Sequence, residues 1–183
     1  MKFLETKLMG AYIVTPEPFV DKRGSFARIF CRNEFLAIGH KGEFVQINHS
    51  VNKSKGTLRG IHYQLPPYEE VKLIRCISGS VYDIIVDIRS GSPTFLQSIA
   101  VEISEENMKM MYVPAGFAHG FITLEDDSQL IYHHTAFYQP GYEAGLRYND
   151  PELKIELPIE PVVITEKDKS HPLITKDFKG IKI

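Results

Sequence analysis

Apolar and polar positions alternate through the middle of the chain, and the apolar side is rich in β-branched residues. Val71-Lys72-Leu73-Ile74-Arg75-Cys76-Ile77 alternates, Ser78-Gly79-Ser80 breaks the pattern, and Val81-Tyr82-Asp83-Ile84-Ile85-Val86-Asp87-Ile88 resumes it. This predicts two strands joined by a tight turn. Further strands are predicted over Leu96–Ile103, Lys109–Val113, His119–Leu124 and Gln129–Tyr138, set apart by turn clusters such as Arg89-Ser90-Gly91-Ser92-Pro93 and Glu125-Asp126-Asp127-Ser128. Helical signals are short: Asn33–Ile38 supports a turn or two, and Ser104-Glu105-Glu106-Asn107 reads as a turn with a capping residue. Many short strands at near-regular spacing predict an all-β fold, a closed jelly-roll barrel or sandwich with short peripheral helices. The four prolines between Pro151 and Ile183 predict a tail that wraps the barrel.

Composition narrows the class. With 183 residues and 20.9 kDa the chain has the size of one domain, expected to span 1–183, and it can bury a core without a metal or disulfide. An apolar share of 43% against 24% charged argues against extensive disorder. A net charge of -2 lacks the basic excess of a nucleic-acid or anionic-membrane binder, so neither partner is expected. No apolar run approaches the ~20 residues of a membrane span, and MKFLETKLMGAY is too polar for a signal peptide. Cys31 and Cys76 fit no disulfide or CxxC framework and read as thiols in a reducing compartment. The expectation is a cytoplasmic globular protein.

Two segments concentrate polar residues in strand-like sequence. In Gly56-Thr57-Leu58-Arg59-Gly60-Ile61-His62-Tyr63-Gln64, simple alternation places Leu58, Gly60, His62 and Gln64 on one face. Lys72 and Ile74 share a face of a later strand, away from Leu73. A His and a Lys turned inward are costly to bury unless they bind something. The second segment, Pro114-Ala115-Gly116-Phe117-Ala118-His119-Gly120-Phe121, is a Gly-rich turn feeding His119 into a strand. His133 and His134 are adjacent and therefore point to opposite faces.

The spacing from Gly56 to His62, with Pro114-x-Gly116-x-x-His119, resembles the two cupin motifs and implies a cupin-type jelly-roll barrel. Metal-binding cupins carry H-x-H in the first motif, whereas this chain has His62-Tyr63-Gln64. A metal site from His62, Glu69 and His119 is an alternative against which the positive charge of Lys72 and Arg59 counts. A closer resemblance covers nearly the whole chain. Asp21-Lys22-Arg23-Gly24-x-Phe26, Gln46-x-Asn48-x-Ser50, Leu58–Gln64, Lys72-Leu73, Val86-Asp87-Ile88-Arg89, Pro114–Phe121, Tyr132, Tyr138, Asn149-Asp150-Pro151 and Glu166-Lys167-Asp168 are similar, in order, to the dTDP-4-dehydrorhamnose 3,5-epimerase family.

That resemblance implies a cofactor-independent and metal-independent epimerase of nucleotide-linked 4-keto-6-deoxy sugars. It also implies a homodimer whose N-terminal segment crosses to the partner and helps complete its site. The carbons at positions 3 and 5 of such a sugar flank the C4 ketone, so loss of either proton gives an enolate. Inversion then needs a base on one face, an acid on the other and a group to hold the oxyanion. The resemblance assigns His62 as base, Asp168 as its partner carboxylate, Tyr132 as acid and Lys72 as the enolate-stabilising group. It places Arg23, from the partner, and Arg59 on the diphosphate. Gln46, Asn48, His119 and Glu143 match positions that bind substrate, Tyr138 matches an aromatic that stacks on the base, and Phe19 is placed nearby. Arg28 stands at a substrate-binding position where the family usually has a Glu that reads the thymine edge. His133 replaces the usual Lys and Leu157 the usual Trp; the chain has no Trp. Open alternatives are inversion at C3 alone, a CDP- or GDP-linked hexose or heptose substrate, a metal-dependent cupin, and a non-catalytic sugar-nucleotide binding module.

Overall fold

The computed structural model describes residues 1–183. In chain order the strands are β1 (Lys2–Glu5), β2 (Tyr12–Thr15), β3 (Phe19–Asp21), β4 (Gly24–Phe26), β5 (Gln46–Asn52), β6 (Leu58–Gln64), β7 (Lys72–Ser78), β8 (Ser80–Asp87), β9 (Ser98–Ser104), β10 (Met110–Val113), β11 (Phe117–Thr123), β12 (Ser128–His134) and β13 (Glu143–Gly145). Two short helices accompany them, α1 (Arg32–Phe35), which runs into a 3₁₀ turn over Leu36–Ile38, and α2 (Glu166–Ser170).

The strands form two facing antiparallel sheets. One has the order β1-β2-β10-β7-β12-β5, the other β13-β6-β11-β8-β9, and β3 and β4 make a separate hairpin. Between the sheets lies a core in which Ile74, Cys76, Met111 and Leu130 of the first meet Val81, Ile85, Ile103, Phe117 and Phe121 of the second. Each sheet is also covered outside, which is why several strands lack clean alternation of apolar and polar residues. Leu73, Met110 and Tyr112 pack under Phe35 of α1. Ile84, Val86 and Ala118 pack under the tail through Leu146, Leu153 and Ile181. All-β jelly-roll architecture, short peripheral helices and a wrapping tail therefore match the sequence reading.

One local feature departs from it. Across the β6–β11 pair His62 faces His119 and Arg59 faces Phe121, so Gly60 and Ile61 together oppose Gly120 alone. This is a β-bulge. Gly60 sits at φ +115°, and a Cβ there would lie 2.6 Å from the Gly120 Cα. Two glycines in contact let the strands close over the extra residue. As a consequence Arg59 and His62 point to the same side, while Ile61 and Tyr63 join the outer core under the tail. Simple alternation, which grouped Gly60 with His62 and set Arg59 opposite, is corrected by the bulge.

Candidate active site

At one end of the sandwich the core gives way to a cavity of about 410 Å³. One wall, from β6, β11 and α2, contributes Arg59, His62, Gln64, His119 and Asp168. The other, from β5, β7 and β12, contributes Gln46, Asn48, Lys72, Tyr132 and His134, and Tyr138, Glu143 and Lys167 rim the opening. The inward side of the β12 alternation carries Leu130, Tyr132 and His134, and the inward side of β7 carries Lys72, Ile74 and Cys76.

His62 is held by a residue 106 positions later. Its Nε2 lies 2.7 Å from the Asp168 Oδ1, and the other Asp168 oxygen accepts from the Gly60 amide at 3.3 Å. Asp168 is presented by α2, a helix whose first turn is fixed by the Thr165 hydroxyl accepting from the Asp168 amide at 3.2 Å. The His62 ring is 36% exposed, toward the cavity, whereas Asp168 is buried. Since Nε2 serves the carboxylate, Nδ1 is the ring nitrogen left for a ligand. Burial holds the His62 pKa below its usual value, and Asp168 opposes without overcoming it. At neutral pH the imidazole is thus an unprotonated acceptor. Burial drives the Tyr132 phenol strongly upward, aided by the negative charge of Asp83, so it keeps its proton throughout the working range. A basic imidazole and a protonated phenol thus share one cavity, the pairing that acid–base chemistry requires.

His119 repeats the His62 motif in a drier place. Its Nε2 lies 2.7 Å from the Asp83 Oδ1 on β8, and the ring stands edge-on to Tyr132 with centroids 5.9 Å apart. A third pair was not anticipated: His134 Nδ1 lies 2.7 Å from Glu70 Oε2, and Lys72 Nζ is 3.3 Å from Glu70 Oε1. Burial pushes the Glu70 carboxyl up, but the His134 hydrogen bond and the Lys72 charge outweigh it, leaving the group below its usual value. From His134 the polar chain continues to Asn48 at 3.3 Å and from Asn48 to Gln46 at 3.1 Å. Gln46 then accepts from the Tyr138 amide at 3.0 Å. At the rim Glu143 accepts from Tyr138 at 3.1 Å and from Lys167 at 2.8 Å. His134 was legible in principle, since it stands two residues from Tyr132 on the same face of β12, whereas Glu70 precedes β7 and had no such mark. Lys167 stood within the matched Glu166-Lys167-Asp168 segment but had no role of its own assigned. His133 points away from the cavity and bonds the Leu73 carbonyl, as adjacency demands.

Arg59 is aimed by Asn52, whose Oδ1 accepts from Nε at 2.7 Å. Gln64, in the place where metal cupins have a second His, is occupied with bracing the loop after β12. Its amide donates to the Tyr68 and Phe137 carbonyls and accepts from the Gln139 amide. The alternative metal set is not assembled: the Nε2 atoms of His62 and His119 go to separate aspartates, and Glu69 is not among the cavity-lining residues. Phe19, Arg23 and Arg28 also lie outside the cavity of their own chain. Phe19 and Arg23 ride the exposed β3–β4 hairpin, where Arg23 pairs with Asp21, and Arg28 pairs with Glu34 at 2.8 Å. No helix is long and apolar enough to cross a membrane.

Comparison with known proteins agrees with this geometry. The family model for dTDP-4-dehydrorhamnose 3,5-epimerase matches residues 5–176. A dTDP-4-dehydrorhamnose 3,5-epimerase of Shigella flexneri is 42% identical over 169 residues, covering 92% of this chain and 93% of that protein. Among solved structures, a dTDP-6-deoxy-D-glucose-3,5-epimerase from Legionella pneumophila in complex with dTDP-4-keto-L-rhamnose superposes with a TM-score of 0.92 at 35% identity, covering 100% of this chain and 98% of that one. A 3′-monoepimerase from Streptomyces bikiniensis in complex with dTDP-quinovose gives 0.85 at 34%, covering 92% and 85%. With a family match over most of its length, the chain belongs to the dTDP-4-dehydrorhamnose 3,5-epimerase family.

Proposed function

We propose that this protein is an isomerase that inverts C3 and C5 of a dTDP-linked 4-keto-6-deoxy sugar by proton abstraction next to the C4 ketone. The observation that carries the reading is one cavity holding the His62–Asp168 pair together with Tyr132 and Lys72. His62 takes the proton through Nδ1, and Asp168 holds the ring and stabilises the imidazolium as it forms. Tyr132 delivers a proton from the opposite wall and regains one from water. Lys72, poised by Glu70, stabilises the enolate oxygen, a service worth about 3 kcal/mol where one donor is concerned. General acid–base help supplies roughly 10²–10⁴ in rate, so positioning and fixed charge must supply the rest.

The rim suits the nucleotide half. Arg59 offers its guanidinium fork to the diphosphate, Tyr138 a ring face to the base, and Gln46, Asn48, His119 and Glu143 polar contacts to sugar and nucleoside. Phe19, Val20 and Phe26 are exposed on a hairpin that joins neither sheet. Apolar residues so displayed favour a homodimer in which this hairpin crosses over and brings Arg23 and Phe19 to the partner's cavity. Incubation with dTDP-4-keto-6-deoxyglucose in D₂O tests the reading. Deuterium at both C3 and C5 is expected; uptake at C3 alone would reduce the enzyme to a monoepimerase, and no uptake with dTDP-, CDP- or GDP-linked 4-keto sugars would overturn it.

A further inference from the structure

Behind the Asp168 carboxylate sits a second imidazole that the proposed reaction does not use. His171 lies one turn beyond Asp168, its Nε2 4.0 Å from the Asp168 Oδ1, and its ring stands edge-on to His62 with centroids 5.9 Å apart. The place is prepared for it. Gly145, opposite His62 across the β6–β13 pair, lacks the Cβ that would overlap the His171 ring. Yet His171 Nε2 is buried with no hydrogen-bond partner, an unusual state for a buried ring nitrogen. One nitrogen from each ring and one carboxylate oxygen thus converge, all within 4.8 Å of one another.

We propose that His62, Asp168 and His171 form a binding site for a borderline divalent transition metal, with Zn²⁺ the best match, and that filling it disables the His62 base. The donor set is two imidazoles and a carboxylate, which suits zinc. Zinc ligands at about 2.0–2.2 Å in a tetrahedron stand about 3.3 Å apart. The observed separations of 2.7 Å for His62–Asp168 and 4.0 Å for His171–Asp168 straddle that value, and with the third pair within 4.8 Å the two rings draw together as the ion seats. The fourth position is left for water on the cavity side. Two of the nearby positive charges are matched, Lys72 by Glu70 at 3.3 Å and Lys167 by Glu143 at 2.8 Å, while Arg59 is turned to the neutral Asn52. The chemistry balances without any co-reactant. In neutral His62 the Nε2 proton is donated to Asp168; when zinc takes Nε2, that proton moves to Nδ1. Nδ1 is the atom assigned to accept the substrate's hydrogen, so a metallated His62 has no lone pair to offer it.

The inference goes beyond the epimerase reading, and its test reads the metal alone. Calorimetric titration of the purified enzyme with Zn²⁺, without sugar nucleotide, is expected to show one equivalent per chain with micromolar affinity. His171→Ala and the size-conserving His171→Gln should each weaken it about tenfold or more. Co²⁺ in place of zinc should give visible absorption bands of a low-coordinate nitrogen–oxygen site, lost in both variants. Zinc should also stop solvent exchange of substrate hydrogen, with recovery on chelation. Affinity unchanged in both His171 variants, or no saturable binding below millimolar zinc, would overturn the site while leaving the epimerase reading untouched.

Discussion

His62 and His119 face each other across two neighbouring strands, and each offers Nε2 to an aspartate at 2.7 Å. Their surroundings differ. His62 is 36% exposed, whereas His119 is 5% exposed and bonded to an Asp83 that lies in the core with its second oxygen unpartnered. Both Asp168 oxygens are engaged, one by His62 and one by a backbone amide. Identical local chemistry therefore supports two different uses. The wet pair has a free ring nitrogen facing a ligand and a fully anchored partner, as proton transfer requires. The dry pair braces the cavity wall and lends Tyr132 an edge to pack on, a setting suited to the substrate contact proposed for His119 rather than to proton transfer.

Replacement of each ring separates those uses most sharply. His62→Ala is expected to lower kcat by about 10³-fold or more with the fold intact by circular dichroism. His119→Ala should cost about 10-fold to 100-fold, chiefly in KM, together with stability. Equal losses in kcat would erase the contrast. The bulge that turns Arg59 and His62 to one side gives the next effect. Gly60→Ala forces a Cβ into Gly120 at a positive φ and should cost about 3 kcal/mol in urea unfolding, with a disproportionate loss of activity. Wild-type stability in that variant would show that the strands close without the glycine contact.

A smaller effect comes from a third carboxylate, further along the strand that bears Asp83. Burial pushes Asp87 up, but hydrogen bonds from Arg89, Ser92 and Thr94 outweigh it and hold its pKa at about 2. A carboxylate depressed in the folded state stabilises above its unfolded pKa and loses that contribution as pH falls. About 2 kcal/mol is therefore expected to disappear between pH ~5 and pH ~2, and Asp87→Asn should flatten that part of the stability profile. An unchanged profile would mean that the three donors around Asp87 do not hold it ionised.

Legibility in the sequence tracked burial. β7, β8, β9, β11 and β12 were evident because they alternate or run apolar, although β12 stops at His134, short of the predicted Tyr138. β5 was missed as a strand: Gln46-Ile47-Asn48-His49-Ser50-Val51-Asn52 sits at a sheet edge with most side chains exposed, so no buried face marks it. α2 was missed because five charged and small residues make no amphipathic stripe, and what holds them is the Thr165 cap and the contact with His62. Asp168 was singled out only through resemblance. The bulge could not be read either, since it depends on two glycines 60 residues apart meeting in space.

The aspartate that steers the proposed base arrives on the tail, long after both sheets are specified. Removing the last twenty residues would cut no strand, yet it would strip Ile181 from the outer core and leave His62 standing without its anchor. Competence would then be decided by whether one short helix seats itself. A chain clipped there, or caught before the tail has docked, would still carry both sheets in its sequence and lose its purpose.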